Sequence, residues 1–342
     1  MGMAETHGTP LSKRVWNISK YVLAVLLVWF VYSKTSISSI VDLLKHISLL
    51  WLGVSFVLFF LMTMMKAMQY HLLSGRQTPY PRLLSIVVIQ NAITNFIATG
   101  AGIASYLTMF TVDEGVRLRR AAATFIIAKI GDLVVVWSLL LISSLFVWSE
   151  ISSLDIATLV VLIVIPLSIA AFVALIILRQ KFVSALRALA NTLRLERFSF
   201  TQRGFDVLQF LAEQDGGMIL RLVQTAVFCS LIYMVLTLLW VFASLRAFSM
   251  VVPASVLIFV NSWIQLISWL PIQVFGGLGV AETSQVFLYG LFGIPVLQMA
   301  TVSIGLRVSS YLFNLASLLY VPSQNLFRRK NLQVQSPHER SE

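Results

Sequence analysis

Uninterrupted apolar stretches constrain this chain more than any other feature: Leu49 to Met65, Leu133 to Trp148, Ile156 to Leu178 and Met218 to Leu245. As helices rising about 1.5 Å per residue, they are on the scale of a hydrocarbon core about 30 Å thick. A soluble core cannot absorb so much oil. The chain is 58% hydrophobic and only 11% charged, and its mean hydropathy is +0.88, far from the balance of a soluble domain. Side chains that face lipid leave the backbone to satisfy its own hydrogen bonds, which permits helices or a closed barrel. A barrel would alternate apolar and polar residues, and these runs do not. The expected fold class is therefore all-α, a polytopic integral membrane protein.

Composition also narrows the chemistry. The single cysteine, Cys229, lies inside an apolar run, so no intramolecular disulfide can form and its expected role is packing. His7, His46, His71 and His338 lie far apart and near predicted ends or loops, without the spacing of a metal site. No metal or cofactor is expected. The formal charge of +11 would suit nucleic acid, but its placement follows the membrane, so no nucleic-acid partner is expected.

Hydropathy predicts six full spans, at 15–32, 47–65, 121–148, 156–178, 218–245 and 296–322. The apolar stretch after Lys20 could be a signal peptide, but Tyr32-Ser33-Lys34-Thr35 is no small-residue cleavage site, and a retained first helix is expected. Two apolar regions remain, 83–111 and 253–293. Thr99-Gly100-Ala101-Gly102 interrupts the first, and Phe275-Gly276-Gly277-Leu278-Gly279, behind Pro271, interrupts the second. Each reads as helix, break, helix: either a broken spanning helix or a glycine-broken re-entrant hairpin.

Charge favours the hairpin. With the N-terminus (1–14) cytoplasmic and 83–111 returning to its own side, the inner segments collect Lys13, Arg14 and Lys20, then Lys66, Arg76 and Arg82, then Arg117, Arg119 and Arg120. They also collect the basic residues of a cytoplasmic segment at 181–217 and of a tail at 323–342, while only Lys34, Lys45 and Arg246 fall outside. That is a strong positive-inside bias. Both termini are then expected in the cytoplasm of a cell whose inner membrane holds the chain.

This assignment makes one transmembrane domain, 15–322, from two halves, 15–148 and 156–322, with the same order of elements and opposite direction. Such an inverted repeat, with interrupted helices in matching positions, is a transporter architecture whose sites lie near the breaks. Closely packed glycine-broken helices without transport are the alternative. Within 181–217, Phe182, Leu186, Leu189 and Leu193 fall at helical spacing among Arg187, Arg194 and Arg197, either an amphipathic helix on the inner leaflet or a solvated connector.

Ionisable groups within spans are costly and point to function. Lys129 and Asp132, three residues apart, share a helix face and can neutralise each other. Glu282 follows the second glycine break, and Arg307 lies midway along the last helix. One buried cation per half, Lys129 and Arg307, would sit beside backbone N–H groups freed by Gly276, Gly277 and Gly279, a setting suited to a phosphate or carboxylate. Asn95 and Gln265, near the breaks, add hydrogen-bonding capacity that lipid cannot use. The alternative is that Lys129 with Asp132, and Glu282 with Arg307, are neutral pairs that only fix packing. No phosphate-binding loop, zinc spacing or Ser-His-Asp set is present, so no catalytic residues are assigned and no enzyme is expected.

Leu270-Pro271-Ile272, Gly276-Gly277-Leu278-Gly279-Val280 with Glu282, Gly293-Ile294-Pro295 and Arg307 together resemble the transmembrane region of the lysylphosphatidylglycerol synthase family, which includes the flippase part of multiple-peptide-resistance proteins. The resemblance runs from Trp51 to Val321 and is specific only over 270–307. It implies lipid handling: moving a phospholipid, glycolipid or polyprenyl-linked lipid between leaflets, or serving a lipid-modifying enzyme partner. Because the chain ends soon after its last helix, the synthases' aminoacyltransferase domain, and with it lipid aminoacylation, is not expected.

Overall fold

A computed structural model describes residues 45–148, 180–192, 216–269 and 275–321, with isolated positions at 26, 29, 33 and 209. Among the described residues every regular element is helical. The long helices are α1 (Leu49–Leu73), α4 (Leu118–Val147), α6 (Gly216–Ala247) and α9 (Val296–Leu318). All four are long and apolar enough to cross a membrane. The predicted spans at 15–32 and 156–178 lie outside the described residues.

Shorter helices lie between them. α2 (Tyr80–Phe96) and α3 (Thr99–Thr108), the latter extended by a π turn at Met109–Asp113, precede α4. Gln180–Thr192 forms α5, in which Val183 and Ala190 are buried while Lys181 and Arg187 are exposed. The remainder of the predicted 181–217 connector, apart from Gln209 and the start of α6, lies outside the described residues. α7 (Ala254–Ser268), a short turn at Phe275–Gly277 and α8 (Val280–Gly290) precede α9.

One boundary departs from hydropathy. α1 runs on to Leu73 instead of ending at Met65, so Lys66 is a buried helical residue and not part of a cytoplasmic segment. The charge does not end the helix because a carboxylate on α4 receives it.

Apolar faces bring α1 and α6 together in opposite directions. The Ser48 N–H donates to the Ala247 carbonyl at 2.9 Å at one end, Ser55 and Ser244 share a hydroxyl hydrogen bond of 2.6 Å, and Gln69 donates to the Ala226 carbonyl at the other end. α4 closes on the same helix at Gly131, where a Cβ would come within 2.7 Å of the Ala226 backbone. Small residues at such crossings allow backbone contact where lipid supplies no hydrophobic drive.

The first interrupted region turns back on itself. Helical geometry ends at Ile97, and Ala98 is extended (φ −171°, ψ 153°). On the return, Gly102 packs against α2 so closely that a Cβ would meet the Thr94 side chain and, at 3.0 Å, the Gln90 carbonyl. Arg82 at the start of α2 pairs with Glu114, just past α3, at 2.9 Å, which brings the two ends of the hairpin together. Arms of 17 residues and, with the π turn of 5 added to 10, of 15 residues reach only about 25 Å and 22 Å, too short for two full crossings.

The second interrupted region pairs Phe259 of α7 with Phe292, just beyond α8, at 5.8 Å between ring centres. Its ends share a core with the C-terminal ends of α4 and α6 and the beginning of α9, through Val147, Leu245, Val256, Leu288 and Met299. The first hairpin instead packs with the C-terminal part of α1, the N-terminal part of α4 and, through Leu318 and Tyr320, the end of α9. The two hairpins thus open toward opposite ends of the bundle, with their breaks facing inward.

Candidate functional site

The two breaks meet. Gly276, Gly277 and Gly279 have φ of 66°, 79° and 86°, a region that glycine occupies without penalty. At Gly276 the reason is steric as well, since a Cβ there would collide with the Asn95 carbonyl. Its N–H donates to the Ile97 carbonyl at 3.2 Å. The Asn95 side chain turns the other way and donates to the Asn91 carbonyl.

Glu282 and Arg307 secure this junction. Glu282 is in the first turn of α8, and its Oε2 accepts the Gly279 N–H at 2.7 Å, capping the helix. Its Oε1 accepts from Arg307 Nε, and Arg307 Nη1 donates to the Gly276 carbonyl at 2.9 Å. One planar guanidinium therefore satisfies a carboxylate and a freed backbone carbonyl together, for which its geometry suits it. Tyr311, one turn on, lies beneath the guanidinium at 5.8 Å and stacks on Phe96 at the end of α2. Nearby in sequence, Thr283 Oγ1 and Ser303 Oγ are buried without a partner among the described residues.

A second charged cluster joins α1, α4 and α6. Lys66 Nζ donates to both Asp132 oxygens, at 2.8 and 2.7 Å, and to Gln69 Oε1 at 2.8 Å. Ser230 donates to Asp132 Oδ1 at 2.8 Å and accepts from Gln69 Nε2. Lys129 also reaches Asp132 Oδ2, but at 3.4 Å. Asp132 is 4% exposed and Lys129 38%. Two cations therefore share one carboxylate, and Lys66 has the shorter bonds. Lys129 lies instead between Phe125, at 5.8 Å, and Trp269, at 5.4 Å, a cation-π arrangement.

Placing one buried cation per half at Lys129 and Arg307 thus needs correction in the first half, where, among the described residues, the buried cation is Lys66. Sequence reasoning also missed Gln69 and Ser230. A signal was present: Lys66 and Gln69 are followed by Tyr70-His71-Leu72-Leu73, so the apolar pattern continues past them. Gln265 belongs to neither network; among the described residues, no hydrogen bond joins its side chain to either cluster. No group of three His, Cys, Asp or Glu side chains placed to hold a metal ion occurs among the described residues.

No curated protein and no solved structure matches the chain. A family model, the lysylphosphatidylglycerol synthase TM region, matches residues 17–317. With the helical bundle described above, that span shows that the chain belongs to this membrane protein family, which is linked to lipid metabolism.

Proposed function

We propose that this protein is a lipid translocase, flippase-like, that moves a lipid with an anionic headgroup between leaflets of the cell membrane without catalysing a reaction. The observation that carries this reading is the junction of the two broken hairpins, where Arg307 holds both Glu282 and the Gly276 carbonyl. Irregular backbone at membrane depth is tolerated where it is enclosed by protein or lines a cavity, and membrane-embedded charges mark substrate paths. Opening the junction would expose a guanidinium and free backbone N–H groups to an anion. The hydroxyls of Thr283 and Ser303, unpartnered among the described residues, add donors close in sequence to Glu282 and Arg307. Hairpins opening to opposite ends offer one approach from each leaflet, with the termini assigned to the cytoplasm by the positive-inside pattern.

A second reading is favoured by the saturation of Asp132, which accepts from Lys66, Lys129 and Ser230. A fully satisfied ion pair is what a rigid, non-transporting subunit would carry while supporting a lipid-modifying or glycosyl-transferring enzyme.

Proteoliposomes carrying reporter lipids with anionic, zwitterionic and sugar headgroups separate the two. Translocation predicts headgroup-dependent movement that falls to the protein-free rate in Arg307→Ala and Glu282→Gln while both variants remain folded. Movement unchanged in those variants would remove the site from the junction, and co-purification with an enzyme in the absence of any movement would favour the supporting subunit.

A further inference from the structure

A cleft of about 1100 Å³ opens at the end of the bundle where the first hairpin has its mouth. Arg117, Arg119 and Arg120 line it. Among the described side chains, no acid forms an ion pair with these arginines. Glu114, which shares the cleft, is already engaged by Arg82 at 2.9 Å, so the described lining carries surplus positive charge.

Neither helix stability nor ion pairing explains that surplus. Arg117 is the N-cap of α4, and Arg119 and Arg120 lie in its first turn, which has no side-chain cap. The helix dipole makes this end partly positive, and a cation here is disfavoured by roughly 0.3–1 kcal/mol. Anchoring to bulk headgroups would account for arginines near the membrane surface, but not for three of them lining one cleft. An anion held in the cleft turns both features into attractions, since guanidinium forks and free N–H groups at a helix start are phosphate donors.

Farther along α4 and α6 the lining becomes apolar, with Ala123, Ile127 and Leu222. A charged rim over an apolar wall fits an amphiphile. Charge then discriminates among headgroups: a phosphodiester offers one negative charge, and a zwitterionic headgroup adds a cation that the arginines repel. We propose that this cleft binds a phosphate group bearing two or more negative charges, a phosphomonoester or a diphosphate, with the chains of a lipid against the α4 and α6 walls. The assignment deepens the translocase reading by naming its substrate class, and rests on it only to that extent, because binding here needs no transbilayer movement.

Equilibrium binding to the full chain in nanodiscs of zwitterionic lipid tests this. The probes are an isoprenyl diphosphate, phosphatidic acid, phosphatidylglycerol, phosphatidylcholine and inorganic pyrophosphate. The first two are expected to bind about tenfold or more tighter than phosphatidylglycerol, with phosphatidylcholine weakest. The exposed single variant Arg119→Gln should weaken them about tenfold, and the triple variant Arg117→Gln/Arg119→Gln/Arg120→Gln more. Arg221→Gln, an exposed arginine on α6 that does not line the cleft, should change binding less than about twofold. Pyrophosphate binding as tightly as the isoprenyl diphosphate would keep the anion site and assign it to a soluble phosphate. Equal binding of all anionic lipids, weakened alike by Arg119→Gln and Arg221→Gln, would overturn the site and leave the arginines to the bulk bilayer. Because binding is read without transport, its loss and the loss of translocation are separate results.

Discussion

Gly276 donates its backbone N–H to the Ile97 carbonyl at 3.2 Å, so the break in one hairpin is tied to the break in the other. That contact exists because Gly276 has no Cβ to strike the Asn95 carbonyl and sits at φ 66°. Gly276→Ala is therefore expected to lower stability by about 2 kcal/mol or more, from backbone strain plus displacement of a neighbouring main chain. Gly53→Ala, in open space within α1, should be neutral or stabilising by up to about 1 kcal/mol. Thermal unfolding of both in detergent checks the contrast, and equal midpoints would show that the breaks do not bear on each other.

Lys66 and Lys129 contact the same carboxylate, but their loss should not be equivalent. Removing Lys66 leaves Asp132, 4% exposed, with only a 3.4 Å contact to Lys129 and the Ser230 hydroxyl. Breaking a buried pair on one side costs about 3–5 kcal/mol, so Lys66→Met should unfold far more readily than the natural protein. Lys129→Met should cost about 1 kcal/mol or less, since that side chain is partly exposed and its bond is long. Lys66→Met/Asp132→Leu should recover most of the loss, because an apolar pair of similar volume leaves no buried charge. Unfolding of these proteins beside Asp132→Leu, which completes the cycle, gives the coupling directly, and additive losses would mean that the pair is not the partnership described.

The long apolar helices were legible because a span of lipid demands an unbroken run, and the second interruption because Gly276, Gly277 and Gly279 adopt positive φ that other residues avoid; the first was placed one turn late, since the chain breaks at Ala98 and Thr99-Gly100-Ala101-Gly102 is already helical. Glu282 and Arg307 were legible as a pair for a related reason: few charges stand within the apolar pattern, and each has few candidates to answer it. Lys66 was misassigned for the opposite reason. A cation near the end of an apolar run looks like a loop residue unless its partner is known, and that partner lies 66 residues away on α4. Sequence spacing exposes contacts within one helix, such as Lys129 with Asp132, and is silent on those between helices. Gln265 shows the same limit: polarity beside a break places a residue near the site without directing its side chain there.

The hairpin mouths set the topology. The Arg82–Glu114 pair places the first mouth at the start of α4, while Leu245 and Val256 place the second at the far end of α6. Cysteines at Arg119 and Ser249, both exposed, should therefore be labelled by an impermeant reagent from opposite sides of the membrane. Cys229 is 1% exposed and should contribute little background. Labelling of both positions from one side would contradict hairpins that open to opposite ends.

Arg307→Lys asks whether the junction needs a charge or a geometry. An ammonium keeps the charge beside Glu282, and if neutralising that carboxylate were the whole role, the variant would behave like the natural protein. Arg307, however, also reaches the Gly276 carbonyl through a second nitrogen, and a point charge on a flexible stem does not reproduce a planar fork. Losing one charge-assisted hydrogen bond costs about 1.5–3 kcal/mol. The expected result is a thermal midpoint between those of the natural protein and Arg307→Ala, with lipid movement closer to that of Arg307→Ala, because the released carbonyl loosens the break on which both hairpins converge. Natural rates of lipid movement in Arg307→Lys, measured beside Arg307→Ala in the same vesicles, would reduce the role of Arg307 to its charge.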